Sequence, residues 1–100
     1  MEWNIKKIIE RISYFRTKKN FSARKLSIAI GKSEPYIHSL ENGGFDLSLK
    51  VLLDIFEVLE ISPVEFFSDD PASYFKDKKL LNYFAKLNDK QKDAILNLYN

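Results

Sequence analysis

Many basic residues lie in and before a short sequence pattern that predicts two helices joined at Gly31. Their positive charge suggests a chemistry of anion binding. Residues 1–32 carry nine Lys/Arg against two Glu, whereas residues 33–75 carry one Lys against nine acids. Residues 76–100 carry six Lys against three Asp. A basic amino-terminal third suits a polyanionic partner. Basic and acidic blocks can also simply attract each other within one fold, and charge alone leaves both interpretations open.

Residues suited to catalysis or metal binding are few. The 100 residues contain no cysteine and one histidine, His38. A zinc site needs several such ligands, so a lone histidine does not predict one. The adjacent acids Asp69 and Asp70 are more typical of a linker and a helix cap than of acid–base chemistry. No Gly-rich phosphate loop or Ser/His/Asp set is present. We predict no enzyme activity, no cofactor and no bound metal.

Apolar residues recur at helical spacing along the whole chain, and no segment alternates with the period of a strand. The pattern predicts a first helix over residues 3–18, a second over 22–30 capped by Ser22, and a fourth over 48–59. Ser62-Pro63-Val64-Glu65 is typical of the start of a fifth helix. The inward side of the fourth helix is predicted to carry Leu49, Leu52, Leu53, Phe56 and Leu59.

The third helix is predicted to begin at Ser33, with Glu34 and Pro35 in its first turn. Gly31 before it fits a left-handed turn position. Asn42-Gly43-Gly44 is expected to end the helix. Two short helices at this spacing can place the second of them in a groove of DNA.

Residues 68–71, Ser-Asp-Asp-Pro, form the one plausible domain edge. Beyond it an apolar stripe continues, and Asn88 with Gln91 predicts a capped last helix that extends to Tyr99. The stripe can either complete the core of the domain or form a dimer interface. Its members are Tyr74, Phe75, Leu80, Leu81, Phe84 and Leu87.

The residues between Phe21 and Phe67 resemble the phage-repressor/Cro-type helix-turn-helix domains, also called the XRE family. The matching positions are Ser22, Ala23, Leu26, Ser27, Gly31, Ser33, Ile37, Glu41 and Gly43. The resemblance implies an all-α, five-helix lambda-repressor-like domain in residues 1–68, with a C-terminal helical extension in residues 69–100. It also implies an ion pair between Glu41 and Arg16.

The resemblance further implies how such a domain meets DNA. Base-reading positions carry over onto Glu34, Pro35, Tyr36, His38 and Ser39. Phosphate-binding positions carry over onto Lys19, Ser22, Ala23, Arg24, Lys25, Lys32 and Asn42. For a dimer, the candidate contacts in the extension are Phe75, Leu80, Phe84, Ile95 and Leu98.

The expected function is that of a sequence-specific regulator of transcription, a repressor that binds a near-palindromic operator in double-stranded DNA as a homodimer. No apolar run approaches the roughly 18 residues of a membrane span, and neither the first residues nor the cysteine content suggests secretion, so we expect a cytoplasmic protein without membrane association. One alternative is an antitoxin whose carboxy-terminal stripe binds a toxin. Another is a protein-interaction adaptor that has lost DNA binding, which Ala23, Glu34 and Asp46 favour.

Overall fold

A computed structural model describes residues 2–44 and 46–98 of the chain. Regular structure within these ranges is entirely helical, which confirms the all-α prediction. The helices are α1 Ile5–Lys18, α2 Ala23–Ala29, α3 Tyr36–Glu41, α4 Leu49–Leu59, α5 Pro63–Phe66, α6 Pro71–Ala85 and α7 Asp89–Asn97. The chain divides into two compact units, residues 1–66 and 67–100.

Polar side chains cap most of the helices in the first unit. The first amides of a helix have no partner within it, and a Ser or Asn oxygen just before the helix can accept from them. Ser22 accepts from the amide of Lys25 at 3.0 Å, and Asn4 from the amide of Lys7 at 2.9 Å. Because Asn4 is the cap, α1 begins at Ile5, two residues later than predicted.

The start of α3 differs from the sequence-based prediction. The helix begins at Tyr36 rather than at Ser33, because residues 33–36 form a turn in which the amide of Tyr36 donates to the carbonyl of Ser33 at 3.0 Å. Pro35 occupies the cap position and provides no side-chain cap. Glu34 therefore lies in the turn before the helix.

One hydrophobic core holds the first unit together. Phe66 of α5 stacks on Phe15 of α1, with ring centroids 5.8 Å apart, and also meets Phe56 of α4 at 4.8 Å. Aromatic pairs at these distances add to the gain from burial itself. The buried apolar residues are Ile9, Ile12, Phe15, Leu26, Ile37, Leu40, Val51, Leu52, Ile55, Phe56, Leu59, Ile61 and Phe66.

The buried face of α4 is rotated from the predicted one. Leu49 and Leu53 are 72% and 50% exposed, so their predicted burial was wrong. Val51 and Ile55 are buried in their place, alongside the correctly predicted Leu52, Phe56 and Leu59. The predicted set, with Leu49 and Leu53, and the observed set, with Val51 and Ile55, both have helical spacing. Packing of α4 against the other helices determines which set is buried.

Glu60 ends α4 in a strained conformation. Its backbone has φ 54° and ψ 48°, in the left-handed region. A side chain with a Cβ atom is disfavoured there by about 1–2 kcal/mol, whereas glycine is not. Glycine at this position should therefore relieve strain.

We expect Glu60→Gly to raise the free energy of unfolding by about 0.5–1 kcal/mol, because relief of strain exceeds the extra entropy of the unfolded glycine. Urea denaturation would measure the change. Glu57→Gly is the matched control, because Glu57 is also exposed but lies inside the helix, where glycine should destabilise by about 1 kcal/mol. Equal destabilisation by the two variants would contradict the strain at Glu60.

The second unit contains two well-capped helices. Asp70 accepts from the amides of Ala72 and Ser73 at the start of α6, at 3.1 and 3.2 Å. Asn88 and Gln91 form the predicted capping box of α7, each side chain accepting from the other residue's amide at 2.8 and 3.0 Å. Neither α6 nor α7 has a buried residue. The predicted end of the last helix at Tyr99 lies outside the described residues.

Candidate nucleic-acid interface

The turn between α2 and α3 is fixed by one glycine and one serine. Gly31 has φ 74°, in the left-handed region predicted for it. Ser27 is fully buried, donates to the carbonyl of Ala23 at 2.8 Å and accepts from the amide of Ile37 at 3.0 Å. Its hydroxyl therefore joins the two helices directly. From the sequence, Ser27 was identified only as a position that matches the family, without this role.

Arg16 and Glu41 hold the far end of α3 against α1. Two nitrogens of the guanidinium donate to the two carboxylate oxygens at 2.8 and 3.1 Å, which confirms the expected ion pair. A third nitrogen donates to the carbonyl of Phe21 at 2.9 Å. The side chains are only 18% and 15% exposed. One arginine thus links α1, the start of the motif and the end of α3.

The predicted base-reading residues share the exposed side of α3 and of the turn before it. Glu34, Pro35, His38 and Ser39 are exposed. Such an arrangement leaves their polar atoms available to an external partner. Their predicted role in base reading stays a prediction.

Tyr36 is the exception on this face, because it is partly buried and packs against the core. Its hydroxyl donates to the backbone carbonyl of Asp46. Burial, followed by the nearby Asp46 carboxylate, raises the pKa of Tyr36 above its ordinary value of 10.0, so the phenol stays protonated. The ammonium of Lys32 lies 5.3 Å from the ring centroid. Its packing indicates that Tyr36 covers part of the core.

The loop after α3 is tied back to the helix. The amide of Gly44 donates to the carbonyl of Ser39 at 2.9 Å. A Cβ atom at Gly44 would lie 2.9 Å from that same oxygen, so this close approach requires glycine. An open pocket of about 220 Å³ between the loop and the helix is lined by Ser33, Pro35, Tyr36, Ser39, Leu40, Gly44 and Asp46. Phe45, in the same loop, lies outside the described residues.

The predicted phosphate-binding residues lie at the end of α1, at the start of α2, in the turn between α2 and α3, and just after α3. Lys25 is exposed, with its ammonium 4.3 Å from the ring of Phe21, and Lys32 is exposed beside Tyr36. Lys19 and Ala23 are partly buried, while Ser22 is exposed and serves as the cap of α2. The side-chain amide of Asn42 donates to the carbonyl of His38 at 2.7 Å.

Arg24 and Glu34 form a contact that the sequence analysis missed. A guanidinium nitrogen of Arg24 lies 3.0 Å from one carboxylate oxygen of Glu34, and the two side chains are 69% and 61% exposed. The residues are ten positions apart on separate elements, so no local spacing rule pairs them. Opposite charges on the two sides of the Gly31 turn were the only available signal.

The candidate dimer contacts all lie in the second unit. Leu80, Phe84 and Leu98 are exposed by 53%, 38% and 81%, and Phe75 and Ile95 are partly buried. An apolar cleft of about 290 Å³ between α6 and α7 is lined by Phe84, Leu87, Lys92, Ile95 and Leu96. The described part of the extension, residues 67–98, therefore presents exposed apolar side chains, and none of its side chains is fully buried. Their role as dimer contacts stays a prediction.

No group of three or more His, Cys, Asp or Glu side chains is arranged to hold a metal ion in residues 2–44 and 46–98. None of the helices in the same ranges combines the length and the apolar character that a membrane crossing requires.

Comparison with known proteins places the chain in a family. A family model described as helix-turn-helix, of the XRE type, matches residues 12–66, which is more than half of the chain. No curated protein and no solved structure gives a significant match. The matched range runs from α1 to the end of α5 and contains the Gly31 turn, the Arg16–Glu41 pair and the exposed side of α3. The chain belongs to the XRE-type helix-turn-helix family, whose members are DNA-binding regulatory domains and typically not enzymes.

Proposed function

We propose that the protein is a cytoplasmic repressor that binds a near-palindromic operator in double-stranded DNA as a homodimer. The proposal is supported by two properties of α3: the helix is held rigidly in the first unit, and its exposed side is polar. Arg16 and Ser27 fix the two ends of α3 against the rest of the unit. A helix held in this way can enter a major groove without losing its position in the domain.

Affinity and sequence preference would come from different residues. Lysines around the motif attract phosphates and release counterions, which gives binding that falls steeply with salt. Exposed side chains of α3, among them His38 and Ser39, face the partner and are suited to contact base edges. Asp46 and Glu34 lie on the same side and would disfavour phosphate contact at their own positions.

The limited reach of one α3 helix supports the proposed homodimer. One such motif contacts few base pairs, so specific repressors place two of them about 34 Å apart, one turn of DNA. The exposed apolar side chains of the extension supply a surface that a second copy can cover. The same surface would also suit a toxin. It therefore favours, as the alternative function, an antitoxin that binds a toxin through this surface.

We expect Lys25→Ala and Lys32→Ala each to weaken binding to all duplexes by a similar factor and to lower the salt slope by about 0.9, because each removes one phosphate contact. Fluorescence anisotropy over a range of salt concentrations would measure both quantities. Lys90→Ala is the matched control, because Lys90 is exposed in α7 and its loss changes the net charge equally. Identical salt slopes for all four proteins would refute the assigned phosphate contacts.

A further inference from the structure

We propose that Arg24 and Glu34 act as one unit that recognises a guanine–cytosine base pair. Arg24 donates to guanine O6 and N7, and Glu34 accepts from the N4 amino group of cytosine. The proposal rests on the proposed function, since it requires binding in the major groove. It changes the expected role of Arg24 from phosphate binding to base recognition.

The geometry leaves both side chains free for this role. A single bond of 3.0 Å joins Nη2 of Arg24 to Oε1 of Glu34. Arginine has five N–H donors and a carboxylate has two oxygens, so donors and an acceptor remain on the exposed side of the pair. Arg24 belongs to the first turn of α2 and Glu34 to the turn before α3. The pair thus joins the start of α2 to the turn before α3.

Electrostatics disfavours a phosphate as the partner. The Arg24 guanidinium and the Glu34 carboxylate together have almost no net charge, and the carboxylate would repel a nearby phosphate. A base pair presents no such formal charge. Since the side chains are more than half exposed, the ion pair also adds little to folding stability. Its chemistry is therefore better suited to recognition than to phosphate binding or to holding the fold.

The major-groove edge of a guanine–cytosine pair complements this arrangement. Across that edge, two acceptors of guanine are followed by one donor of cytosine. Arg24 offers two donors and Glu34 one acceptor in the same order. An adenine–thymine pair presents acceptor, donor and acceptor, so the second arginine donor would meet an amino group. The Arg24–Glu34 pair should therefore discriminate guanine–cytosine from adenine–thymine base pairs.

The test is a double-mutant cycle on DNA. Dissociation constants would be measured for the wild-type protein, Arg24→Ala, Glu34→Ala and the double variant, on the preferred operator and on duplexes with every base pair replaced in turn. We expect the wild type to favour G·C at one position of each half-site by about 10- to 100-fold. Each single variant should lose that preference at the same position, and the double variant should lose no more than either.

Arg24→Lys separates geometry from charge, because lysine keeps the positive charge but cannot donate in the fixed two-pronged manner of arginine. It should lose the preference while the salt slope stays near that of the wild type. Uniform weakening by Arg24→Ala on all duplexes, with a smaller salt slope, would overturn the proposal in favour of a phosphate contact. Loss of preference at different positions in the two single variants would overturn it as well. A wild-type protein that prefers no duplex would refute the proposed function itself, and this proposal with it.

Discussion

In the proposed homodimer, replacing Leu80 by glutamate should give a monomer and weaken binding to a two-half-site operator by on the order of 100-fold or more. Leu80 is 53% exposed on α6, and no residue of that helix is buried. A charge in the centre of an apolar dimer interface would have to be desolvated on association, which opposes dimer formation. Once the two domains are separate, the second half-site no longer binds at a high effective concentration.

Light scattering would give the oligomeric state, and anisotropy the affinity for duplexes with one and with two half-sites. Binding to a single half-site should stay unchanged, because Leu80 lies outside the DNA-binding unit. Asn82→Glu is the matched control, since it adds the same charge two residues along the helix, on a different side. A Leu80→Glu variant that remains dimeric, or a monomer with undiminished operator affinity, would contradict the assigned interface.

Replacing Arg16 by methionine should lower the free energy of unfolding by about 2–3 kcal/mol, near the lower end of the range for breaking a buried ion pair. Three guanidinium nitrogens bond to Glu41 and to the carbonyl of Phe21. Methionine fills a similar volume but leaves the Glu41 carboxylate, which is 15% exposed, without its partner. The loss should also free the end of α3 and weaken DNA binding.

Urea denaturation of the wild type, Arg16→Met, Glu41→Met and the double variant would separate the interaction energy of the Arg16–Glu41 pair from the effects of the surrounding residues. The double variant Arg16→Met/Glu41→Met should be more stable than Arg16→Met alone, because no carboxylate is then left partly buried without a partner. Arg16→Lys should lie between wild type and Arg16→Met, because lysine cannot form the two parallel bonds. Single variants that cost less than about 0.5 kcal/mol, the range of ordinary surface changes, would show that the pair does not hold α3.

The local parts of the fold were predictable because their signals lie within a few residues. Ser22, Ser48 and Asn88 each precede an apolar periodic segment and each caps the helix that follows. Gly31 was predicted as a left-handed residue from its place between two short helices, and it has that conformation. Such features depend on backbone geometry that neighbouring residues determine.

Features that depend on distant packing were not predictable in the same way. Leu49 and Leu53 have the spacing of a buried stripe, but the contacts of α4 with α1 and α2 bury Val51 and Ile55 instead. Glu60 adopts a left-handed conformation that its residue type does not favour. The Arg24–Glu34 pair forms only after the Gly31 turn brings two elements together. In the candidate interface, the sequence therefore identified the helix and the Arg16–Glu41 pair, but not the contacts of Arg24 with Glu34 and of Tyr36 with Asp46.

Selection of bound duplexes from a random pool, followed by a salt titration on the enriched sequence, would show whether the protein binds a specific operator. We expect an inverted repeat whose half-site centres are about one helical turn apart, with affinity that falls steeply as salt rises. Lys25→Ala and Lys32→Ala should enrich the same repeat, because they change affinity and not sequence preference. A pool without any enriched sequence, and weak binding to every duplex, would refute operator binding and direct the search to a protein partner.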